Sequence, residues 1–119
     1  MLAPGIERMG ELAVIECEGR IMHGEAAKLR EAITSQANAQ IIVIDLSEVS
    51  GIDGSGLSTL VLLQRWAFRR KIRLKLFNPP ACVRDRLKRA NGIPRFDIAS
   101  LQEMMALLAN ADDGFASAA

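Results

Sequence analysis

The alternation of apolar and polar positions divides the chain into short elements that change between strand and helix several times. Residues 41–44 are a run of branched apolar side chains, which is typical of a central parallel strand buried on both faces. From Leu57 onward, apolar side chains recur at helical spacing. The glycine-containing stretch 51–56 lies between these two patterns and supplies backbone freedom for a sharp turn. The sequence therefore predicts a strand that ends at Asp45, a short link, and a helix that begins near Ser55.

The flanking segments have the patterns of further strands and helices. Residues 6–9 and 12–18 predict an opening hairpin with its turn at residues 9–11. The other predicted elements are a helix at 24–36, a strand at 72–77, a proline-initiated helix that stops at Asn91-Gly92, a short edge strand within 93–98, and a helix that follows a capping box at Ser100 and Glu103. Helical crossovers between successive strands indicate that those strands are parallel. The predicted fold is α/β, with a mixed four- to five-stranded sheet and about four helices packed mainly on one face.

Length and composition fit one small domain. The chain has 119 residues, half of them hydrophobic, which is enough for one core. We expect a single domain over residues 1–119, with its core at about 6–108 and a disordered tail at 109–119. The sequence has no signal-peptide core and no apolar run of membrane-spanning length, and its net charge of +1 argues against a strong attraction to nucleic acid or acidic membranes. We therefore expect a cytoplasmic protein without membrane insertion.

Residues suited to catalysis or metal binding are few. The chain has one histidine, His23, and no tyrosine, and Cys17 and Cys82 lack metal-binding spacing. Both thiols are expected to be buried and free. Asp45 is interpreted as a strand terminator rather than as half of a metal-binding carboxylate pair. Asp53 is interpreted as a helix cap, and a functional role stays open for it beside the structural one. We expect a protein that is not an enzyme and that needs no metal or cofactor.

The residues around the predicted strand-to-helix turn resemble the signature of the STAS family, which includes bacterial anti-sigma factor antagonists and cytoplasmic domains of anion transporters. The matching residues are Asp45-Leu46-Ser47, Val49, Ile52-Asp53 and Ser55-Gly56-Leu57. The resemblance covers roughly residues 6–108. It implies a stand-alone antagonist that binds an anti-sigma factor, a serine kinase of the histidine-kinase-like ATPase type, through residues 53–59 and thereby releases a sigma factor. It also implies that His23 and Gly24 lie near the motif serine and contact the partner.

One position departs from the family pattern. In this family, antagonists that are regulated by a serine kinase typically carry two hydroxyl residues after the aspartate. The first of these two positions corresponds to the residue that accepts the phosphate. Here Gly54 occupies that first position and Ser55 the second. Three interpretations remain open: Ser55 accepts the phosphate in a shifted register, Ser58 or Thr59 accepts it, or the protein binds constitutively. Gly54 most directly supports constitutive binding. If the chain is phosphorylated, Ser55 is the leading acceptor, because family members with altered motifs exist and the dipole of a helix N-terminus tolerates the roughly two negative charges of a phosphate.

The predicted central helix has two stripes that cannot both face one sheet. At about 100° per residue, one side collects Leu57, Leu60, Val61, Gln64, Ala67 and Phe68. The opposite side collects Ser55, Thr59, Leu62 and Trp66, which predicts a docking stripe. The alternative is that Trp66 packs under the basic segment or a neighbouring helix. The predicted partner-binding residues are His23, Gly24, Asp53, Gly54, Ser55, Gly56, Ser58, Thr59, Leu62 and Trp66.

Basic residues cluster within 65–75 and 84–89. Few aromatic residues are interleaved with them, so we expect a solvated face or a surface that attracts an acidic protein rather than a nucleic-acid site. The competing function is a STAS docking subunit of an ABC-type membrane lipid-transport complex, where the same helix binds an ATPase subunit without phosphorylation. A nucleotide-binding sensor domain is a more distant third.

Overall fold

The sheet consists of a hairpin followed by parallel strands. The computed structural model describes residues 4–22, 24–89 and 96–118, with side chains up to residue 111. The strands are β1 Gly5–Met9, β2 Leu12–Ile21, β3 Ile41–Ile52, β4 Arg73–Phe77 and β5 Ile98–Ala99. They form one sheet in the order β1-β2-β3-β4-β5, in which β1 is antiparallel to β2 and the later neighbours are parallel. The mixed sheet and its opening hairpin are therefore confirmed.

Four helices occur in the described residues: α1 Ala26–Thr34, α2 Gly54–Arg69, α3 Ala81–Lys88 and α4 Leu101–Ala118. Two of the predicted starts are confirmed. Pro80 precedes α3 as its N-cap, and the Ser100 hydroxyl accepts the N–H of Glu103 at 3.1 Å before α4. The stop predicted at Asn91-Gly92 and the first half of the edge-strand segment 93–98 lie outside the described residues, and β5 includes only Ile98 and Ala99.

Alternate side chains of the strands contribute to two separate cores. Helices α1, α2 and α3 cover the larger core, whose members include Ile15, Leu29, Ile42, Ile44, Leu60 and Val83. Helix α4 covers a smaller core on the other face, formed by Leu12, Val14, Val43 and Met104. Three helices thus pack on one face and one on the other, in agreement with the predicted arrangement.

The face under α4 also buries a charge. Lys75 of β4 is only 5% exposed, although the alternation of this strand predicts a charged, solvated face. Its Nζ lies 2.7 Å from Asp97 Oδ2 and 3.5 Å from Glu103 Oε2. The two carboxylates compensate the buried ammonium group, and the contact with Glu103 joins β4 to α4.

Strand β3 does not end at Asp45, so this prediction was wrong. Pairing with β4 stops at Asp45, whereas pairing with β2 continues to Ile52. Two register shifts between β2 and β3 place extra residues on β3, as β-bulges do, and they let a polar segment remain in the strand. The Asp45 carboxylate accepts hydrogen bonds from the backbone N–H and the hydroxyl of Ser47 at 3.0 and 2.6 Å. Its role is therefore to stabilise the first irregular stretch of β3.

Helix α4 includes most of the segment 109–119 that the sequence predicts to be disordered. The backbone is helical to Ala118. Alanine has the highest helix propensity, and Ala109 and Ala111 continue the helix beyond the last leucine. Ala111 still packs against the smaller core. Within the described ranges, none of the helices combines the length and the apolar character that a membrane crossing requires.

The two cysteines are free but differ in environment. Cys17 is buried, as predicted, and burial, followed by the charge of Asp45, raises the pKa of its thiol to about 12. The thiol therefore stays protonated and unreactive at neutral pH. Cys82 is exposed, contrary to prediction. The buried side of α3 is formed by Val83 and Leu87, which directs the neighbouring Cys82 toward solvent.

Candidate functional site

A carboxylate cap fixes the start of α2. Asp53 has an extended backbone, and its Oδ1 accepts hydrogen bonds from the Gly56 N–H at 2.9 Å and from the Ser55 hydroxyl at 2.8 Å. The Asp53 N–H donates to the Ile21 carbonyl at 3.3 Å, which connects the cap to the end of β2. An N-cap of this kind typically stabilises a helix by about 1 kcal/mol. The capping role predicted for Asp53 is confirmed.

The two glycines at the start of α2 have different structural roles. A Cβ on Gly56 would lie 2.3 Å from the Ile21 carbonyl oxygen and 2.7 Å from Ile52 Cγ1. Glycine is therefore required because the helix approaches the sheet closely. A Cβ on Gly54 would meet nothing within 4 Å. Neither glycine has a positive φ, so the backbone freedom predicted for this turn is not used at these two positions.

The three hydroxyl residues proposed as phosphoacceptors differ in accessibility. Ser55 is partly exposed, and its hydroxyl donates a hydrogen bond to the Asp53 carboxylate. Thr59 is also partly exposed, and its hydroxyl donates to the Ser55 carbonyl at 2.9 Å. Ser58 is exposed. The hydroxyls of Ser55 and Thr59 are therefore engaged in hydrogen bonds within the first turns of α2, while Ser58 faces solvent.

The buried face of α2 is rotated relative to the face predicted from the sequence. The buried residues of α2 are Gly56, Leu60, Val61, Leu63 and Ala67. The predicted apolar side omitted Leu63 and included Phe68, which is 81% exposed. Apolar residues occur around much of this helix, so the sequence does not define one buried side. Contacts with α1, β3 and β4 determine which residues are covered.

The predicted docking stripe is divided between surface and interior. Leu62 is 54% exposed. Trp66 is partly buried against the larger core, and the guanidinium carbon of Arg70 lies 5.3 Å from the centroid of its ring. Trp66 thus packs beneath a basic residue, as the alternative interpretation describes. Its accessible part, together with Leu62, also lines a shallow surface depression.

The connection between β2 and α1 leaves the sheet beside the start of α2. Ile21 ends β2, and its carbonyl accepts the Asp53 N–H. Gly24 in this connection is exposed and has a φ of 89°, which favours glycine. His23 lies outside the described residues. Within the described part of the chain, no group of three or more His, Cys, Asp and Glu residues is arranged to hold a metal ion.

Similarities to known proteins cover most of the chain. The sequence profile of the STAS domain matches residues 3–104. The fold is similar to the anti-sigma factor antagonist SpoIIAA of Bacillus in its unphosphorylated form, with a TM-score of 0.73 and 20% identity, covering 91% of this chain and 97% of that chain. It is also similar to an anti-sigma factor antagonist from Mycobacterium paratuberculosis, with a TM-score of 0.71 and 18% identity, covering 92% and 95% of the two chains. At these identities, the likeness shows the fold alone.

Plant transporters provide a similarity in sequence. Sulfate transporter 3.1 of Arabidopsis thaliana is 28% identical over 103 residues, which cover 76% of this chain and 16% of the transporter. Sulfate transporter 3.2 of the same plant is 37% identical over 75 residues, which cover 63% of this chain and 11% of the transporter. The chain thus corresponds to a small part of either transporter.

Proposed function

Because this chain belongs to the STAS domain family, we propose that it is an anti-sigma factor antagonist-like regulator. It binds an anti-sigma factor, a serine kinase of the histidine-kinase-like ATPase type, and thereby releases a sigma factor. Binding uses residues 53–59 and the exposed side of α2, and the mechanism is non-enzymatic. The observation that carries this proposal is the rigidly capped helix start, next to an exposed strip formed by Gly54, Ser58 and Leu62.

The geometry of this strip favours docking of a protein. Gly54, Ser58 and Leu62 are spaced four residues apart, so they lie on one side of α2. The Asp53 cap and the close contact of Gly56 with β2 hold this side in one position before a partner arrives. A preformed surface loses little conformational entropy on binding. The absence of a side chain at position 54 lets a partner approach the helix backbone, and Leu62 supplies apolar area that binding removes from water.

Phosphorylation of Ser55 is the proposed switch. The Ser55 hydroxyl donates a hydrogen bond to Asp53, and a phosphate would replace this donor with about two negative charges. These charges would repel the Asp53 carboxylate, which is itself part of the cap. The modification therefore weakens the first turn of α2 and changes the charge of the docking strip, and both effects disfavour the bound state.

The second candidate function is a docking subunit of an ABC-type membrane lipid-transport complex that works without phosphorylation. Two observations favour it. Position 54 has no hydroxyl, and the Ser55 hydroxyl is engaged in the helix cap. In this case, the same side of α2 binds an ATPase subunit constitutively.

Site-specific photo-crosslinking in the native cell tests the proposed function. A photoreactive residue replaces Ser58, and the control replaces Met105, which is exposed on α4. We expect the Ser58 position, but not the Met105 position, to crosslink to an anti-sigma factor of the kinase type. Crosslinks from Ser58 to transport subunits would favour the second candidate. Equal crosslinking from both positions would contradict docking through α2.

Affinity measurements with the crosslinked partner test the switch. Ser55→Asp is expected to weaken binding at least about tenfold, which corresponds to roughly 1.4 kcal/mol, because it places a second carboxylate beside Asp53. Ser55→Ala removes one hydrogen-bond donor without adding charge and is expected to bind nearly as the wild type. Equal affinities of the wild type and both variants would leave constitutive docking as the only mode.

A further inference from the structure

A second exposed surface lies on the C-terminal half of α2. Arg65 and Arg69 are exposed one turn apart, and an apolar side chain lies on either side of them. Phe68 is 81% exposed on one side, and Leu62 is 54% exposed on the other. Together with the partly buried Trp66, these residues form what we call the α2 ridge. At 1.5 Å per residue, Phe68 lies about 20 Å along the helix from Ser55.

Two shallow depressions flank the α2 ridge. One has a volume of about 390 Å³ and is lined by Gln64, Arg65, Phe68 and Arg69. The other has a volume of about 430 Å³ and is lined by Leu62, Arg65, Trp66, Arg69 and Arg70. Arg65 and Arg69 line both depressions, so they form the wall between them. Protruding basic side chains between two depressions match the ridge-and-groove pattern by which helices pack.

The charge of the α2 ridge is uncompensated within the described residues. Segment 54–71 has no acidic residue and four basic ones, namely Arg65, Arg69, Arg70 and Lys71. The ion pairs of the described residues involve Lys28 and Lys75, so none of them engages Arg65 or Arg69. Like charges one turn apart on a helix repel each other. Carboxylates placed opposite both guanidinium groups would remove this repulsion.

We propose that the α2 ridge binds an amphipathic helix of a partner protein. Two acidic residues of that helix, four positions apart, meet Arg65 and Arg69, and its apolar residues enter the two depressions. This inference rests on the proposed function for the existence of a protein partner. It deepens that function by naming the chemistry of the partner segment that contacts the α2 ridge. It extends docking to the end of α2 opposite the Ser55 switch.

The apolar side chains favour a protein over a nucleic acid as the occupant. A phosphate backbone is recognised by many dispersed basic side chains, and it gains little from burying Leu62 and Phe68. An acidic amphipathic helix uses both features, because its charges pair with the arginines and its apolar side chains cover the exposed apolar area.

Tryptophan fluorescence of the full chain gives a direct test. Trp66 is the only tryptophan, and the chain has no tyrosine, so emission reports on the α2 ridge. The probe is a synthetic stapled helical peptide with two glutamates four residues apart, flanked by leucines. The matched control peptide has glutamine in place of glutamate, and a single-stranded DNA oligonucleotide is titrated in parallel. We expect a saturable emission shift with the acidic peptide alone, weakened as salt screens the exposed charges.

Variants of the chain show whether the peptide occupies the α2 ridge. Phe68→Ala and the double variant Arg65→Gln/Arg69→Gln are each expected to weaken peptide binding about tenfold, because truncating an interface anchor commonly has an effect of this size. Both changes affect exposed side chains, so the fold is retained. Arg86→Gln, which removes an exposed arginine of α3, is the matched control and is expected to bind as the wild type.

Three other results of the peptide titration would overturn the inference. Equal binding of the two peptides would exclude recognition of acidic residues. The absence of a saturable shift in Trp66 emission would exclude the α2 ridge as a binding site for the peptide. Tighter binding of the oligonucleotide would assign the α2 ridge to nucleic acid.

The proposed function fails separately: if the acidic peptide binds but Ser58 gives no anti-sigma factor crosslink, only the proposed function is contradicted. If an anti-sigma factor binds the wild type and Phe68→Ala equally, only the α2 ridge inference is contradicted.

Discussion

Gly54 and Gly56 are two residues apart in the sequence, yet only Gly56 is constrained by its neighbours. A side chain on Gly56 would collide with the carbonyl of Ile21 and with Ile52. This collision involves backbone, which cannot rotate away as a flexible side chain can. Gly54 faces open space, so that position is free for a different side chain.

Unfolding of two glycine variants tests this difference. Gly56→Ala is expected to lower the free energy of unfolding by about 1–3 kcal/mol, because the added methyl group forces α2 away from β2. Gly54→Ala is the matched control and is expected to be neutral or to raise the free energy of unfolding by up to about 1 kcal/mol, since it restricts the unfolded chain. Urea denaturation measures both. Similar stabilities of the two variants would contradict the close contact at Gly56.

At the scale of elements, α4 is attached to the sheet by apolar packing and by a buried charge. Met104 packs on the smaller core, and Lys75 bridges Asp97 and Glu103. The lysine side chain is 6% exposed, whereas Asp97 is 53% exposed. Water therefore reaches the carboxylate but not the ammonium group, and the attraction is partly screened.

Removing the carboxylates should destabilise the protein more than removing the lysine. The double variant Asp97→Ala/Glu103→Ala leaves an uncompensated buried ammonium group, and we expect it to lower the free energy of unfolding by about 1–3 kcal/mol. Lys75→Met replaces the charge with an apolar side chain of similar volume, and the expected change is smaller. Urea denaturation compares the two. A larger loss for Lys75→Met would contradict the expectation that the uncompensated ammonium group is the main cost.

At the scale of the whole molecule, there is one hydrophobic core on each face of the sheet, and each core is shielded from water by its own helices. Leu12, Val14 and Val43 face α4 alone, away from the other three helices. Their packing partners on α4 extend through Leu107, Leu108 and Ala111. Without α4, this face of the central strands would expose a contiguous apolar surface.

Truncation at two points tests the role of α4. A chain that ends at Ala111 keeps the α4 residues that the structure describes as packing on the smaller core, so its melting temperature is expected to stay within about 5 °C of the full chain. A chain that ends at Ser100 exposes Leu12, Val14 and Val43 and is expected to aggregate or to lose cooperative unfolding. Circular dichroism melting and size-exclusion chromatography measure these outcomes. Cooperative, monomeric behaviour of the shorter chain would show that α4 is dispensable.

Features that depend on nearby residues were predicted correctly from the sequence. The order of strands and helices follows from hydrophobic periodicity, and the hairpin turn follows from Gly10, which has a φ of 57°. The caps at Asp53 and Ser100 also follow from local sequence, because a capping side chain bonds to N–H groups two or three residues away. The residues that determine these features lie close together in the sequence, within the length of one or two helical turns. The sequence alone is therefore sufficient to predict them.

Other features were decided only by the tertiary structure. Pairing with β2 extends β3 beyond Asp45 to Ile52, and the carbonyl of Ile21 determines that position 56 must be glycine. Contacts with the sheet and α1 cover Leu63 and leave Phe68 exposed. Each outcome depends on atoms distant in sequence, and the pattern of apolar residues identifies what can be buried without specifying the neighbour that buries it. For this reason, the start of the candidate site was predicted from the sequence, whereas the α2 ridge became visible only in the folded chain.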